Sequence, residues 1–244
     1  MAYYEKEVYE VLDHIPASYK KKSLGRGCHG ECFLTEDGLA YKELDNGVKY
    51  PEDLRGLTTV TSEFFAFPKK IIYLGTRSDD TLQGYLCDYV EGIDFRQIPS
   101  DTSIIDIIRA SEHFEKGMAE VTMHKGVVVD DLDNNGNVLY LPEKKEFKAI
   151  DTEQYECFSL EEYRTNMKKN LRQWARFILY GLHMTPYSFN NETLNLHLEM
   201  ATYYGRFRPS IFLYDVLDEI RNEICDSVET LEDYEEGIKL IKRK

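Results

Sequence analysis

The spacing of apolar positions changes once along the chain, and the change divides it. From residue 19 to residue 90, hydrophobic residues come in short runs that predict strands over 31–35, 39–44, 71–74 and 82–89. Turn-forming residues separate them at Glu36-Asp37-Gly38, Asp45-Asn46-Gly47 and Ser78-Asp79-Asp80. Ahead of this region, Tyr4, Val8, Leu12 and Ile15 recur at near-helical spacing and predict an amphipathic helix over 3–13. A helix over 51–65, opened by Pro51 in its first turn, is expected within the sheet region. Beyond Gly92 the pattern turns helical. Ile105, Ile108, Phe114, Met118 and Val121 share one face of a helix over 104–124, and 160–182, 192–204 and 210–226 follow on the same grounds. A β-rich insert (126–129, 138–141, 147–150) separates the first of these helices from the rest. Trp174, with Phe177 and Ile178, is expected in the helical core. Strands first and helices second make an α+β layout, two lobes meeting near Tyr89 to Gly92.

Composition fits one globular domain over residues 1–244: 42% of residues are hydrophobic, 13% are aromatic, and no Gly/Ser-rich or Pro-rich linker interrupts them. A formal net charge of -14 argues against nucleic acid and against an anionic membrane surface as partners. The basic clusters Lys20-Lys21-Lys22 and Lys168-Lys169 read as solvated faces. Cys28, Cys32, Cys87, Cys157 and Cys225 are odd in number and widely spread, which reads as reduced thiols. The first residues carry charges throughout and no apolar signal region, and no run approaches the ~20 apolar residues of a membrane span. The expected location is cytoplasmic.

Two features carry candidate chemistry. Gly25-Arg26-Gly27-Cys28-His29-Gly30 is a G-x-G-x-x-G string, which alone serves dinucleotide folds, phosphate loops and plain turns alike. A dinucleotide fingerprint must open a helix. Here Gly30 leads into the strand-like Glu31-Cys32-Phe33-Leu34-Thr35, so the glycines join two strands, where backbone without Cβ atoms can lie over phosphates. Lys42 then sits toward the end of the next strand, Leu39-Ala40-Tyr41-Lys42-Glu43-Leu44, where its ammonium can reach phosphate oxygens beneath such a loop. His29 at the loop tip is expected to be exposed.

With these stand three further segments in order: 84–92 (Gly-Tyr-Leu-Cys-Asp-Tyr-Val-Glu-Gly), 124–140 (containing Asp130-Asp131-Leu132 and Asn137-Val138-Leu139) and 147–153 (Phe-Lys-Ala-Ile-Asp-Thr-Glu). Together they resemble the protein kinase superfamily over roughly residues 20–155. The resemblance implies a bilobal fold with an N-lobe of about 19–89, a hinge of about 88–92 and a C-lobe of about 93–244. It implies ATP and Mg2+ as cofactors, with Gly25, Gly27 and Gly30 over the phosphates and Lys42 pairing with them. Cys87 would lie near the gatekeeper position, and the backbone of Asp88 and Val90 would bind the adenine. Asp131 would be the catalytic base, and Asn137 and Asp151 the metal ligands. One carboxylate, one amide oxygen and the phosphates make an adequate magnesium set.

The departures are specific. The step from Asp131 to Asn137 is one residue longer than the usual pattern, with Asp130 the fallback base. No arginine precedes Asp131, and Thr-Glu follows Asp151 where Phe-Gly is usual, without a later Ala-Pro-Glu. This short Ile-Asp-x-Glu segment also resembles aminoglycoside and choline phosphotransferases and implies no regulation by activation-loop phosphorylation. The partner glutamate of Lys42 falls to Glu63 or Glu52, and His124 is expected to hold the catalytic loop. Asp131-x-Asp133-x-Asn135-Gly136 opens like a calcium loop, but Pro142 takes the slot of the bidentate glutamate and the flanks read as strands. The favoured expectation is ATP-dependent transfer to protein Ser/Thr hydroxyls. A small-molecule kinase and a nucleotide-binding pseudokinase scaffold are the alternatives.

Overall fold

A computed structural model describes residues 8–45, 50–132, 136–157, 160–185 and 187–243. Tyr4 of the expected first helix, Asn46 and Gly47 of one expected turn, and Asp133 and Asn135 of the calcium-like string lie outside them. The architecture is α+β. In chain order the first strands are β1 (Tyr9–Leu12), β2 (Lys22–Gly27), β3 (Gly30–Leu34) and β4 (Leu39–Leu44), then helix α1 (Pro51–Leu57), β5 (Lys70–Leu74) and β6 (Leu82–Asp88). They form one mixed six-stranded sheet in the order β1-β5-β6-β4-β3-β2. Two short strands, β7 (Ile93–Asp94) and β8 (Val127–Val128), flank the 22-residue helix α2 (Ile104–Lys125). Then come β9 (Val138–Leu141), β10 (Glu146–Ala149) and β11 (Glu156–Cys157). Four helices follow: α3 (Tyr163–Gly181), α4 (Glu192–Thr202), α5 (Pro209–Glu223) and α6 (Leu231–Ile241).

Two expected helices are corrected. Residues 9–12 are a strand: Tyr9 to Leu12 alternate in exposure and pair in parallel with β5, and Tyr9 meets the Tyr73 ring edge-on. A short run of aromatic and β-branched residues satisfies a period of two as readily as one of four, and an open sheet edge decides the matter. The helix expected over 51–65 ends at Leu57. Thr58 and Thr59 turn their hydroxyls back onto the carbonyls of Arg55 and Gly56, the local competition that makes such residues poor helix interiors. Phe64 and Phe65 are then drawn out of the helix into the main core, where Phe65 bridges Ala149 and packs at a tilt on Phe114. The last helix, α6, was not foreseen, although its Thr230-to-Asp233 capping box is visible in the sequence.

The main core lies between the helices and the small sheet β10-β9-β7. Trp174 sits at its centre as expected, fully buried, 4.2 Å from Phe114 between ring centroids, with its indole N–H donated to Ser111 Oγ at 2.9 Å. Phe147 and Phe177 pack on its other sides. Smaller apolar clusters line the two faces of the six-stranded sheet. Among the described residues no helix is long and apolar enough to cross a membrane.

Candidate functional site

A cleft of about 460 Å³ runs between the six-stranded sheet and the β9 region. Its roof is the β2–β3 hairpin, whose tip is the two-residue turn Cys28-His29 between the paired Gly27 and Gly30. Leu24, Gly25 and Gly27 line the cleft, and a Cβ added at Gly25 or Gly27 would meet nothing within 4 Å. Gly30 does not line it. A Cβ there would fall 1.8 Å from the Glu43 carbonyl oxygen, so this glycine serves the close approach of β3 to β4. The motif therefore divides: two glycines face the cleft and the third packs the sheet. His29 is exposed, as expected.

The back of the cleft is set by strand register. Cys32, Lys42 and Tyr85 are direct partners across β3, β4 and β6, and Ala40 is the partner of Cys87. All five side chains line the cleft. Burial pushes the Cys32 thiol up to about 11, against the lowering charge of Lys42. At the far end of β6, Asp88, Tyr89 and Val90 form one wall. Residues 89–92 follow β6 and belong to no strand. Gly92 lets this segment lie on β9, since a Cβ there would meet Leu139 at 2.8 Å. Leu139 and Ile150 supply an apolar floor, which together with Leu24 and Ala40 makes a slot suited to a flat ring.

Lys42 reaches across the cleft to two carboxylates, Asp151 Oδ1 at 2.9 Å and Glu153 Oε1 at 3.4 Å. The expected partners Glu63 and Glu52 are both exposed and make no ion pair with it. Glu63 lies beyond the end of α1, and Glu52 sits in its first turn facing solvent. Glu153 is buried, and its Oε2 accepts from the Tyr85 hydroxyl at 3.0 Å. Burial first, then the hydrogen bond to Asp151 and its charge, push the Glu153 carboxyl up to about 7. Burial would also raise Asp151, but its hydrogen bond with Glu153 and the charge of Lys42 outweigh that and hold it below the ordinary carboxylate value. Burial likewise works against the charge on Lys42, and the two carboxylates, Glu153 foremost, keep it protonated.

The segment expected to carry the base follows β8. Asp131 adopts a left-handed backbone, φ 56, and Leu132 behind it is fully buried. Asn137 lines the cleft and donates its amide to the Asp131 carbonyl at 2.7 Å and to Asp131 Oδ2 at 3.2 Å. That use of its nitrogen leaves the Asn137 side-chain oxygen as a candidate cation ligand beside the ionised Asp151, a donor set that fits a small hard cation. Asp130 is engaged elsewhere, accepting from the Asp131 N–H at 2.9 Å and from Gln173 Nε2 at 2.8 Å. The loop is not held by His124, which is exposed at the end of α2. Its holder is the fully buried Asn170 of α3, whose oxygen accepts from Val129 N–H at 2.9 Å. Its nitrogen donates to Val127 O at 3.0 Å and to Thr122 Oγ1 at 2.7 Å. No group of three or more His, Cys, Asp or Glu side chains placed for a metal occurs among the described residues. The flanks of the calcium-like string are β8 and β9, not helices.

The cleft thus assembles Gly25, Gly27, Lys42, Asp88, Val90, Asn137 and Asp151, with Asp131 one hydrogen bond behind Asn137. Sequence reasoning missed Glu153 and Tyr85 as neighbours of Lys42 and Asn170 as the anchor of the loop. Compared with known proteins, the chain matches no protein-family model and no curated protein.

Proposed function

We propose that this chain is an ATP-dependent phosphotransferase with a protein-kinase-like bilobal fold, moving the γ-phosphate of Mg2+-bound ATP to a hydroxyl. The observation that carries the reading is the convergence in one cleft of a cation, Lys42, an anion, Asp151, an amide, Asn137, and the backbone of Asp88 to Val90 where the chain leaves β6, from four separate chain segments. Phosphoryl transfer asks for little else, because catalysis there is positioning and charge neutralisation. The apolar slot of Leu24, Ala40, Leu139 and Ile150 suits the adenine, with the backbone of Asp88 and Val90 at its edge. Gly25 and Gly27 leave room for phosphates above Lys42. Asp131, tied to Asn137, is positioned to accept the proton of the incoming hydroxyl.

For the acceptor we favour a protein serine or threonine hydroxyl. A small-molecule hydroxyl is the second reading, favoured by one observation: Thr152, Glu153 and Tyr155 are all buried, so the segment after Asp151 turns into the core and offers little surface to a peptide. Thermal unfolding with ATP and Mg2+, separately and together, tests the nucleotide site. At about 100 times its dissociation constant a ligand stabilises the fold by roughly 2.7 kcal/mol, which for a chain of this size is a rise of roughly 5–10 °C. A rise that needs both ligands and disappears in Asp151→Asn supports the reading; no rise with any nucleotide sinks it.

A further inference from the structure

The two carboxylates that face Lys42 differ in freedom. The Asp151 side chain is 27% exposed and opens onto the cleft, whereas that of Glu153 is 1% exposed and lies behind the lysine. Glu153 is fixed from a second side by Tyr85, which is also the direct cross-strand partner of Lys42. The strand register therefore aims a cation and a hydroxyl, side by side, at one carboxylate. The residue between the two acids, Thr152, is fully buried, and Tyr155 just beyond is buried against Phe65 and Phe67. Helix α1 contributes nothing to this arrangement: it has seven residues, its Glu52 is exposed, and its Asp53 accepts from the Cys157 N–H at 3.1 Å.

We propose that Glu153 is the positioning residue of Lys42, holding the ammonium in place without any movement of a helix, while Asp151 is the exchangeable partner. The proposal rests on the nucleotide reading above for its consequence, though not for its geometry. A divalent cation entering the cleft competes with Lys42 for the Asp151 oxygens. A lysine held by Asp151 alone would lose its counter-ion at the moment the phosphates arrive. Glu153, out of reach of solvent and anchored by Tyr85, keeps the ammonium at the back of the cleft, so that its remaining donors face the phosphate oxygens. A glutamate two residues from Asp151 on the same buried segment makes the lysine site ready as folded, with no separate element to swing in or out.

Two measurements on the full chain test this. The first is the rate at which an amine-acylating reagent labels Lys42 in ligand-free protein, read by peptide mass spectrometry with the exposed Lys69 as internal control. Glu153→Gln is expected to raise Lys42 labelling about tenfold, because it removes one of the two carboxylate charges that keep the ammonium protonated, and to leave Lys69 unchanged. Tyr85→Phe keeps the carboxylate and is expected to give a smaller rise in the same direction; it carries the test should Glu153→Gln fail to fold. Unchanged Lys42 labelling in the folded variants overturns the positioning role, whatever the nucleotide results. The second measurement is the ATP-Mg2+ dissociation constant in a double-mutant cycle with Lys42→Met. Glu153→Gln is expected to weaken binding in the wild-type background and to add nothing once Lys42 is gone. Equal weakening in both backgrounds marks Glu153 as merely structural and overturns the proposal. A wild type that binds no nucleotide while showing the labelling effect overturns the nucleotide reading and leaves the Lys42–Glu153 pairing standing.

Discussion

Asn137 donates its side-chain amide to Asp131 twice, at 2.7 Å to the carbonyl and at 3.2 Å to the carboxylate, and so ties a residue of the cleft to the segment that follows β8. Asp131 takes a left-handed conformation, φ 56, which costs a residue with a Cβ of order 1 kcal/mol. The two bonds from Asn137 offset that cost and tie the Asp131 carboxylate to a residue that lines the cleft, while Asp130 is turned toward Gln173 of α3.

That division of labour predicts unequal mutants. If the cleft transfers phosphate, Asp131→Asn should lower kcat by about 10²–10⁴-fold, the usual worth of a positioned general base, with ATP affinity nearly unchanged. Asp130→Asn should keep most of the wild-type rate. Steady-state kinetics on the two variants decide it, and the reverse ranking would hand the role to Asp130.

The glycine motif makes a second prediction, because its members meet different surroundings. Gly30→Ala places a methyl group 1.8 Å from the Glu43 carbonyl oxygen and must push β3 off β4. A loss of about 3 kcal/mol or more is expected in urea unfolding, the range of severe packing conflicts. Gly27→Ala meets nothing within 4 Å. It should unfold like the wild type and, if the cleft takes ATP, show its effect only as weaker ATP binding, where the new methyl group would crowd the phosphates. Equal stability of the two variants would contradict the assigned packing.

Most of the cleft was legible in the sequence because its parts are punctuation and charge in a fixed order: two glycines at a strand turn, a lysine within the next strand, an aspartate after an apolar run. What was not legible depends on where side chains go in three dimensions. Glu153 stands two residues from Asp151, yet the sequence pattern points to a helix for the partner of Lys42, since linear order gives no sign that α1 stops at Leu57. The helix pattern over 51–65 failed for the same reason the core formed: Phe64 and Phe65 gain more against Phe114 than they would as a further helical turn. The strand at Tyr9–Leu12 is a tertiary outcome as well, settled by a free edge on β5.

Asn170 gives a prediction that sequence reading could not. A polar residue in a helix reads as solvent-facing, but this one is fully buried and supplies three hydrogen bonds to the loop and to Thr122. Asn170→Ala strands the Val129 N–H without its acceptor and takes a donor from Val127 O. A loss of about 2–4 kcal/mol is expected, because buried groups left unpaired cost more than the bonds themselves contribute. His124→Ala, at the exposed end of α2, should be nearly silent. Denaturant titration of both variants tests which residue holds the loop.

Glu115 predicts how stability depends on pH. It projects from α2, fully buried, and its two oxygens accept from the Ser210 N–H and Ser210 hydroxyl at 2.8 Å each, in the first turn of α5. Burial pushes its carboxyl up to about 7, against the lowering effect of those bonds to Ser210 and of the nearby Arg208 charge. The folded state thus holds this proton more tightly than the unfolded chain, where the group has its ordinary value of 4.5. The stabilisation from this group is therefore complete below pH 4.5 and lost as pH rises through about 7. Glu115→Gln keeps an acceptor for the Ser210 N–H and a donor for its hydroxyl but cannot ionise. The stability of this variant relative to the wild type should rise by ~3 kcal/mol between acid and mildly alkaline pH, the free-energy equivalent of the shift. Taking the difference between the two proteins at each pH removes the contribution of every other titrating group, Glu153 included. A difference that stays flat across that range would mean the Glu115 carboxylate is already charged in the folded protein and that Ser210 and Arg208 satisfy it as an ion.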